Sequence, residues 1–418
     1  MSLLDDLDSD ERSRQLCSAI KINYILRKLG TVDLDAEDLI QYGIMYPLVR
    51  FLGAEDFPEL NYHAACCLTS IAAYRPDLLV AHDAVRRLVR LLDSNRNYVR
   101  DQAIWAICNI AGQPTHRDFV LASGALIPLL NLLTQSKDIN LSTLRLATLT
   151  LCHLCRGMPP PYFEEMGHAL ERHLNSNDDE VLGNVCVAIM YVCKGSEDEF
   201  LGVIESEFVP KLVELLRHPS PAVFVPVLIT ITTLVRNDHD QIQVMIDCGA
   251  LPSLCNLLTG GSDIYIKKAT FVTISSITAY FQEQTQLAVE ANLVPSLVYL
   301  AQNTEPYIKN DIVCAISNVT LGVSHDQIKY LVDQGCIKPL CDLLVCPDMR
   351  TISACLNGLE RILIVGEEEK KKAEDVNSYC KLIEDAEGLE KIESLQQHGS
   401  NEIYEKALKI LNTYWAVI

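Results

Sequence analysis

A leucine returns every forty-odd residues along this chain, and that interval constrains the fold more than any other feature. Leu48, Leu88, Leu129, Leu170, Leu212, Leu254, Leu297 and Leu340 stand 40, 41, 41, 42, 42, 43 and 43 residues apart. The residues around them recur as well. Gly43-Ile44-Met45-Tyr46-Pro47-Leu48 is echoed by Gly124-Ala125-Leu126-Ile127-Pro128-Leu129 and by Gly335-Cys336-Ile337-Lys338-Pro339-Leu340. A unit of this size holds one small group of helices and cannot bury its apolar face alone, but a stack of units can. The chain of 418 residues therefore reads as one repeat array rather than as two or three globular domains.

Each unit has the same grammar. A Gly, or a polar residue in its place, ends one short helix, and a Pro near the first turn starts the next. A polar turn such as Asp93-Ser94-Asn95-Arg96-Asn97 follows, then a longer helix with Ala, Ile and small residues on its packing face. A period in the forties fits armadillo or HEAT repeats, and the Gly at the bend favours armadillo. Aromatic content is only 6% against 49% hydrophobic overall, which suits stacked helices with small interlocking side chains. The expected fold is all-α, a right-handed superhelical armadillo solenoid of about ten repeats. Its expected divisions are an acidic leader (1–8), repeats one to nine (9–365), a charged loop insertion or helix extension around Gly366-Glu367-Glu368-Glu369-Lys370 (366–378), and a last repeat (379–418).

Several function classes drop out. The formal net charge of −20 repels nucleic acid and favours basic partners. The sixteen cysteines are scattered through apolar runs, where Cys acts as a small hydrophobe, so a reduced intracellular protein is expected. No basic leader opens the sequence and no apolar run reaches membrane-spanning length. Cys152-His153-Leu154-Cys155 has no second ligand pair at zinc spacing, and His116, His239 and His325 read as solvated turn residues. No nucleophile, phosphate-loop or metalloprotease motif appears, so neither an enzyme nor a cofactor is expected.

One stretch stands apart, Arg100-Asp101-Gln102-Ala103-Ile104-Trp105-Ala106-Ile107-Cys108-Asn109-Ile110-Ala111-Gly112. Trp105 and Asn109 are four residues apart on a predicted helix, so they share a face. A large indole beside a free carboxamide suits a groove into which something else lies down.

With Arg117-Asp118-Phe119-Val120-Leu121, this stretch resembles the third armadillo repeat of the importin-α family. Tyr330 to Leu344 is similar to that family's eighth repeat, and Gly388 to Trp415 to its tenth. The resemblance covers residues 8–418 in one register. It implies an adaptor of nuclear import, moving between cytoplasm and nucleus, whose inner groove holds the basic nuclear localisation signals of cargo proteins. Tryptophan faces would form slots for lysine stems, and asparagine carboxamides would bind the peptide backbone. The residues matching that role are Trp105, Asn109, Gln113, Tyr191, Asp311 and Asn318. The C-terminal repeats would meet the family's nuclear export receptor. No nucleic acid or membrane partner is implied.

The sequence also departs from the pattern. Where the family repeats Trp and Asn, this chain has Cys66 and Ser70 in the second repeat, Leu149 and His153 in the fourth, and Val272 (or Phe271) and Ser276 in the seventh. The fifth keeps the family's Tyr at Tyr191 but has Val187 for Trp, and the sixth has Ile229 and Thr233 for the family's Arg and Asn. The eighth keeps Asn318, with Asp311 standing for the family's Glu, but has Cys314 for Trp. The acid expected after Gly112 is Gln113, and the one expected after Tyr191 is Lys194. A charge-assisted contact contributes about 1.5–3 kcal/mol, so its loss would weaken binding of ordinary basic signals tenfold or more. Nothing before Asp8 is basic, so importin-β binding through the family's basic leading segment is not expected. A second reading stays open: an importin-α-derived scaffold that binds other proteins.

Overall fold

The computed structural model describes residues 3–29, 43–54, 56–135, 139–195, 203, 208–237, 239–259, 263–280, 293–303, 306–373 and 376–415. Every regular element among them is a helix, and in several repeats two short helices are followed by a longer one. The fold is an all-α armadillo solenoid. The chain divides into two compact units, Met1–Lys211 with Pro219–Val227 and Leu212–His218 with Leu228–Ile418. The division passes through helices instead of following a linker.

In the first unit, α1 (Leu3–Leu7) and α2 (Arg12–Leu29) precede α3 (Met45–Phe51) and α4 (Pro58–Ala72). The next repeats are α5 (Pro76–Ala81), α6 (Ala84–Leu91) and α7 (Asn97–Ala111), then α8 (Pro114–Ala122), α9 (Leu126–Gln135) and α10 (Leu141–Cys155). After them come α11 (Phe163–His173) and α12 (Asp179–Val192). The long helices α2, α4, α7, α10 and α12 pack each on the next. Helices α13 (Phe208–Leu215) and α14 (Pro221–Asn237) carry the sixth repeat. The second unit continues with α15 (His239–Asp247), α16 (Ala250–Thr259), α17 (Ile264–Tyr280), α18 (Leu293–Asn303) and α19 (Pro306–Gly322). It closes with α20 (His325–Asp333), α21 (Ile337–Asp342), α22 (Met349–Ala373), α23 (Ser378–Asp385), α24 (Gly388–Ser394) and α25 (Asn401–Tyr414).

The periodic leucines are the keystones of this stack. All eight are at most 1% exposed, so the sequence interval marks one buried position per repeat. Beside Leu48, Leu88, Leu129, Leu254 and Leu340 the bend is a helix stop of the expected kind, with a residue at positive φ. Gly124 takes φ +84°; its N–H donates to Leu121 O at 2.9 Å, and that of Ala125 to Val120 O at 3.5 Å. This pairing satisfies two carbonyls at the end of α8 and needs a left-handed residue, which glycine supplies without strain. Asp83 and Glu387 hold the same bend with φ of 54° and 59°. They are the polar residues that replace glycine in those copies.

Two of the expected divisions take a definite form. The acidic leader includes a docked helix: Leu7 of α1 is fully buried and the Ser18 hydroxyl donates to Leu3 O at 2.6 Å. Of the two forms open to the charged run, loop and helix extension, the residues from Gly366 take the second, continuing as the last turns of α22 up to Ala373. Glu and Lys are good helix formers, and Glu367 pairs with Lys370 one turn away at 3.5 Å. Glu368 and Glu369 reach His325 and Lys329 of α20 at 2.8 and 3.1 Å, so His325 has a carboxylate partner and is not simply a solvated turn residue.

Candidate peptide-binding groove

Long third helices carry the candidate residues, except Gln113, which follows one. On α7, the stripe Ala103, Ile104, Ile107 and Ile110 is buried against neighbouring helices. Trp105 and Asn109 fall off that stripe. The indole is 47% exposed, whereas an indole used for packing would be covered. Asn109 is half-buried and its Nδ2 donates to Thr69 O of α4 at 3.2 Å. The second amide hydrogen and the carbonyl oxygen remain for an incoming chain. Gln113 is exposed just beyond Gly112, at the start of α8, with no capping bond from its side chain.

A cleft of about 430 Å³ opens beside Trp105. Asp101 and Gln102 of α7, Thr143, Arg145 and Leu146 of α10, and Glu180 of α12 line it with the indole. Arg145 is held from the other side, its Nε and Nη2 bonding both oxygens of Asp178 at 3.1 and 2.6 Å. Glu180 adds a third contact at 3.3 Å. The Arg145 hydrogen bond holds the Asp178 carboxyl below its usual range. The cleft therefore offers an aromatic wall, Asp101 and Glu180 as acids, and one arginine already engaged. Gln102, Asp101 and Glu180 belong to no motif legible in the sequence. Gln102 lies three residues before Trp105, and that helical spacing is the signal that could have found it.

The neighbouring rungs differ. On α4, Cys66 is buried and Ser70 bonds back to Cys66 O at 3.1 Å. On α10, His153 turns inward over the end of α7. Its Nδ1 lies 3.1 Å from Cys108 O, and its ring would sit 3.2 Å from any Cβ added at Gly112. Burial lowers its pKa, so the neutral ring with Nδ1–H donating is the form that fits. On α12, Tyr191 is half-buried and Lys194 Nζ stands 5.6 Å from its ring centroid.

In the second unit, Asn318 of α19 donates from Nδ2 to Ser275 Oγ of α17 at a long 3.5 Å. It lines a cleft of about 400 Å³ with Ser317, Leu321, Arg350, Asn357 and Glu402. Asp311 lies on α19, but its side chain is outside the described residues. The six sequence candidates thus form two groups: Trp105, Asn109, Gln113 and Tyr191 in the first unit, Asp311 and Asn318 in the second.

No metal centre assembles from the Cys152–Cys155 segment. Among the described residues no group of three His, Cys, Asp or Glu side chains could hold an ion. Burial pushes the Cys108 thiol up to about 11 and that of Cys152 to about 12, the reverse of an activated nucleophile. His239 lies on α15 with its side chain outside the described residues.

The armadillo/beta-catenin-like repeat matches residues 75–112, 238–279, 281–321 and 324–363, and an atypical Arm repeat matches 377–418. Importin subunit alpha-8 of Arabidopsis thaliana is 49% identical over 418 residues, covering 99% of this chain and 92% of that protein. The chain belongs to the importin-α family. Importin subunit alpha-1b of Oryza sativa subsp. japonica is 48% identical over 424 residues, covering 99% of this chain and 78% of its own length. An engineered protein of known crystal structure shares the fold at a TM-score of 0.78 and 23% identity, over 99% of this importin-α chain and 98% of its own. The first matched segment, 75–112, spans α5 to α7 and ends at Gly112, so the Trp105–Asn109 pair sits inside a recognised repeat.

Proposed function

We propose that this importin-α chain is a nuclear import adaptor that binds extended basic signal peptides of cargo proteins along its third helices, with altered preference. The observation that carries the reading is the exposed indole of Trp105 beside a carboxamide with open bonding capacity, next to a cleft bearing Asp101 and Glu180. A lysine stem would lie on the indole and its ammonium would reach the acids. The Asn109 amide would hold the peptide backbone without reading its side chains. Family membership supports this role and the shuttling between cytoplasm and nucleus that goes with it. The same reading gives the C-terminal repeats to the family's export receptor.

Altered preference follows from three side chains. Gln113 is neutral, His153 is turned inward, and Lys194 faces Tyr191. These also support the second reading, a scaffold for proteins without standard signals. Fluorescence anisotropy with a labelled lysine-rich signal peptide tests the first. The wild type should bind saturably, and Trp105→Ala with Asn109→Ala should abolish binding while the melting temperature holds. Equal binding by both proteins would remove the groove from the account.

A further inference from the structure

One helix departs in charge from all its counterparts. Helix α6 contains Arg86, Arg87 and Arg90 in eight residues. The matching helices α3, α11, α13, α21 and α24 each carry a single Lys or Arg, and α9, α16 and α18 carry none. The fold does not ask for them. The packing side of α6 is filled by Val85, Leu88 and Leu91, all buried, while the three arginines are exposed. Arg96, exposed at the start of α7, adds a fourth cation after the polar turn.

These cations are also short of partners. Arg86 has one long, exposed pair with Asp83 at 3.8 Å. Among the described residues, Arg87, Arg90 and Arg96 have no ion pair, in a chain where acids outnumber Lys and Arg by 55 to 35. By contrast Arg12, Arg75, Arg117 and Arg145 each hold a carboxylate within 3.1 Å. Arg90 and Arg96 line a polar cleft of about 480 Å³ together with Ser94, Asn95 and Asn61, and Asp93 is the single acid on its wall. Arg87 extends the patch towards the end of α3, where its Nη1 would lie 3.2 Å from a Cβ at Gly53.

We propose that Arg87, Arg90 and Arg96, with the cleft between α6 and α7, dock a short Asp/Glu-rich peptide segment of a partner protein. Guanidinium forks match carboxylates two oxygens at a time, and Ser94 and Asn95 can serve the peptide backbone beside them. The charge pattern selects the ligand class. Screening confines a patch of this size to about 8 Å at physiological salt, and beyond it the net charge of −20 repels an extended polyanion. A segment with two or three carboxylates gains the attraction and avoids the repulsion. The ligand is opposite in charge to that of the Trp105 groove and meets other side chains, so the inference stands apart from the proposed function.

The test is anisotropy of a fluorescein-labelled peptide of alternating glutamate and serine, titrated with the full chain. Wild type should bind saturably and more weakly as salt rises. The triple variant Arg87→Ser, Arg90→Ser, Arg96→Ser should lose about tenfold or more in affinity, with an unchanged circular dichroism spectrum. Arg87→Lys, Arg90→Lys, Arg96→Lys should fall between the two, because charge is kept and the fork is lost. Trp105→Ala should bind like wild type. Three results would each overturn the inference: no saturable binding, equal binding by the serine variant, or tighter Arg-dependent binding of a single-stranded oligonucleotide. So would self-association of the wild type that the serine variant abolishes.

Discussion

Lys194 holds its ammonium 5.6 Å from the centre of the Tyr191 ring, three residues away on the same helical end. An aromatic face that a ligand cation could use is thereby shared with a cation of the chain itself. Replacing it should help a basic ligand twice, by freeing the ring and by removing like-charge repulsion. Lys194→Asp is expected to tighten a lysine-rich peptide about tenfold, and Lys194→Met by less. Calorimetric titration of the three proteins checks this, and unchanged affinity would place the peptide elsewhere.

Three half-buried or buried histidines make stability depend on mild acid. Burial is the first cause lowering the pKa of His63, His153 and His173 below the usual 6.5. The unfolded chain therefore takes up protons before the folded one does. Their contribution is complete above the ordinary histidine value and is lost as pH falls below it. A scan of melting temperature from about pH 7.5 to about pH 5.5 should show a decline. His173→Gln, which can keep a donor to Leu133 O in place of the 2.9 Å ring contact, should flatten it.

Arg117 is the buried cation of the first unit. Its Nε donates to Leu154 O and its Nη2 to Pro159 O, both at 2.7 Å, while Nη1 meets Asp118 at 2.6 Å. Arg117→Met fills the volume but leaves two carbonyls and a carboxylate without their donor. Urea unfolding should show a loss of about 2–4 kcal/mol, and Asp118→Asn much less, since that acid is largely exposed.

Glu387 bends the chain with φ 59° where four other repeats use glycine. Glu387→Gly should stabilise by up to about 1 kcal/mol, read as a higher urea midpoint with unchanged slope. Gly335→Ala, at φ +85°, should cost about as much.

How far the sequence could be read depended on distance along the chain. Repeat length, buried leucines and bends are written within windows of forty residues, and Leu48 through Leu340 are buried as that pattern requires. The exposure of Trp105 was legible too, because a helical stripe assigns the inward positions to Ile104 and Ile107. The inward turn of His153 was not, since its partner Cys108 lies 45 residues earlier and belongs to another repeat. The Arg145–Asp178 pair was hidden for the same reason, at a separation of 33 residues. Polarity alone left the run after Gly366 open between loop and helix extension. Glu-Lys spacing pointed to a helix, and Glu368 and Glu369 had partners on α20.

The separation on α7 between Ile104, Ile107 and Ile110, which are buried, and Trp105 and Asn109, which face outward, has an evolutionary consequence. Mutations at the outward positions leave the packing stripe intact, so one lineage can rewrite what it recognises while its scaffold stays under undiminished selection. The freedom is uneven. A rung such as His153, seated against Gly112, is itself part of the packing, so a change there has to be matched on α7.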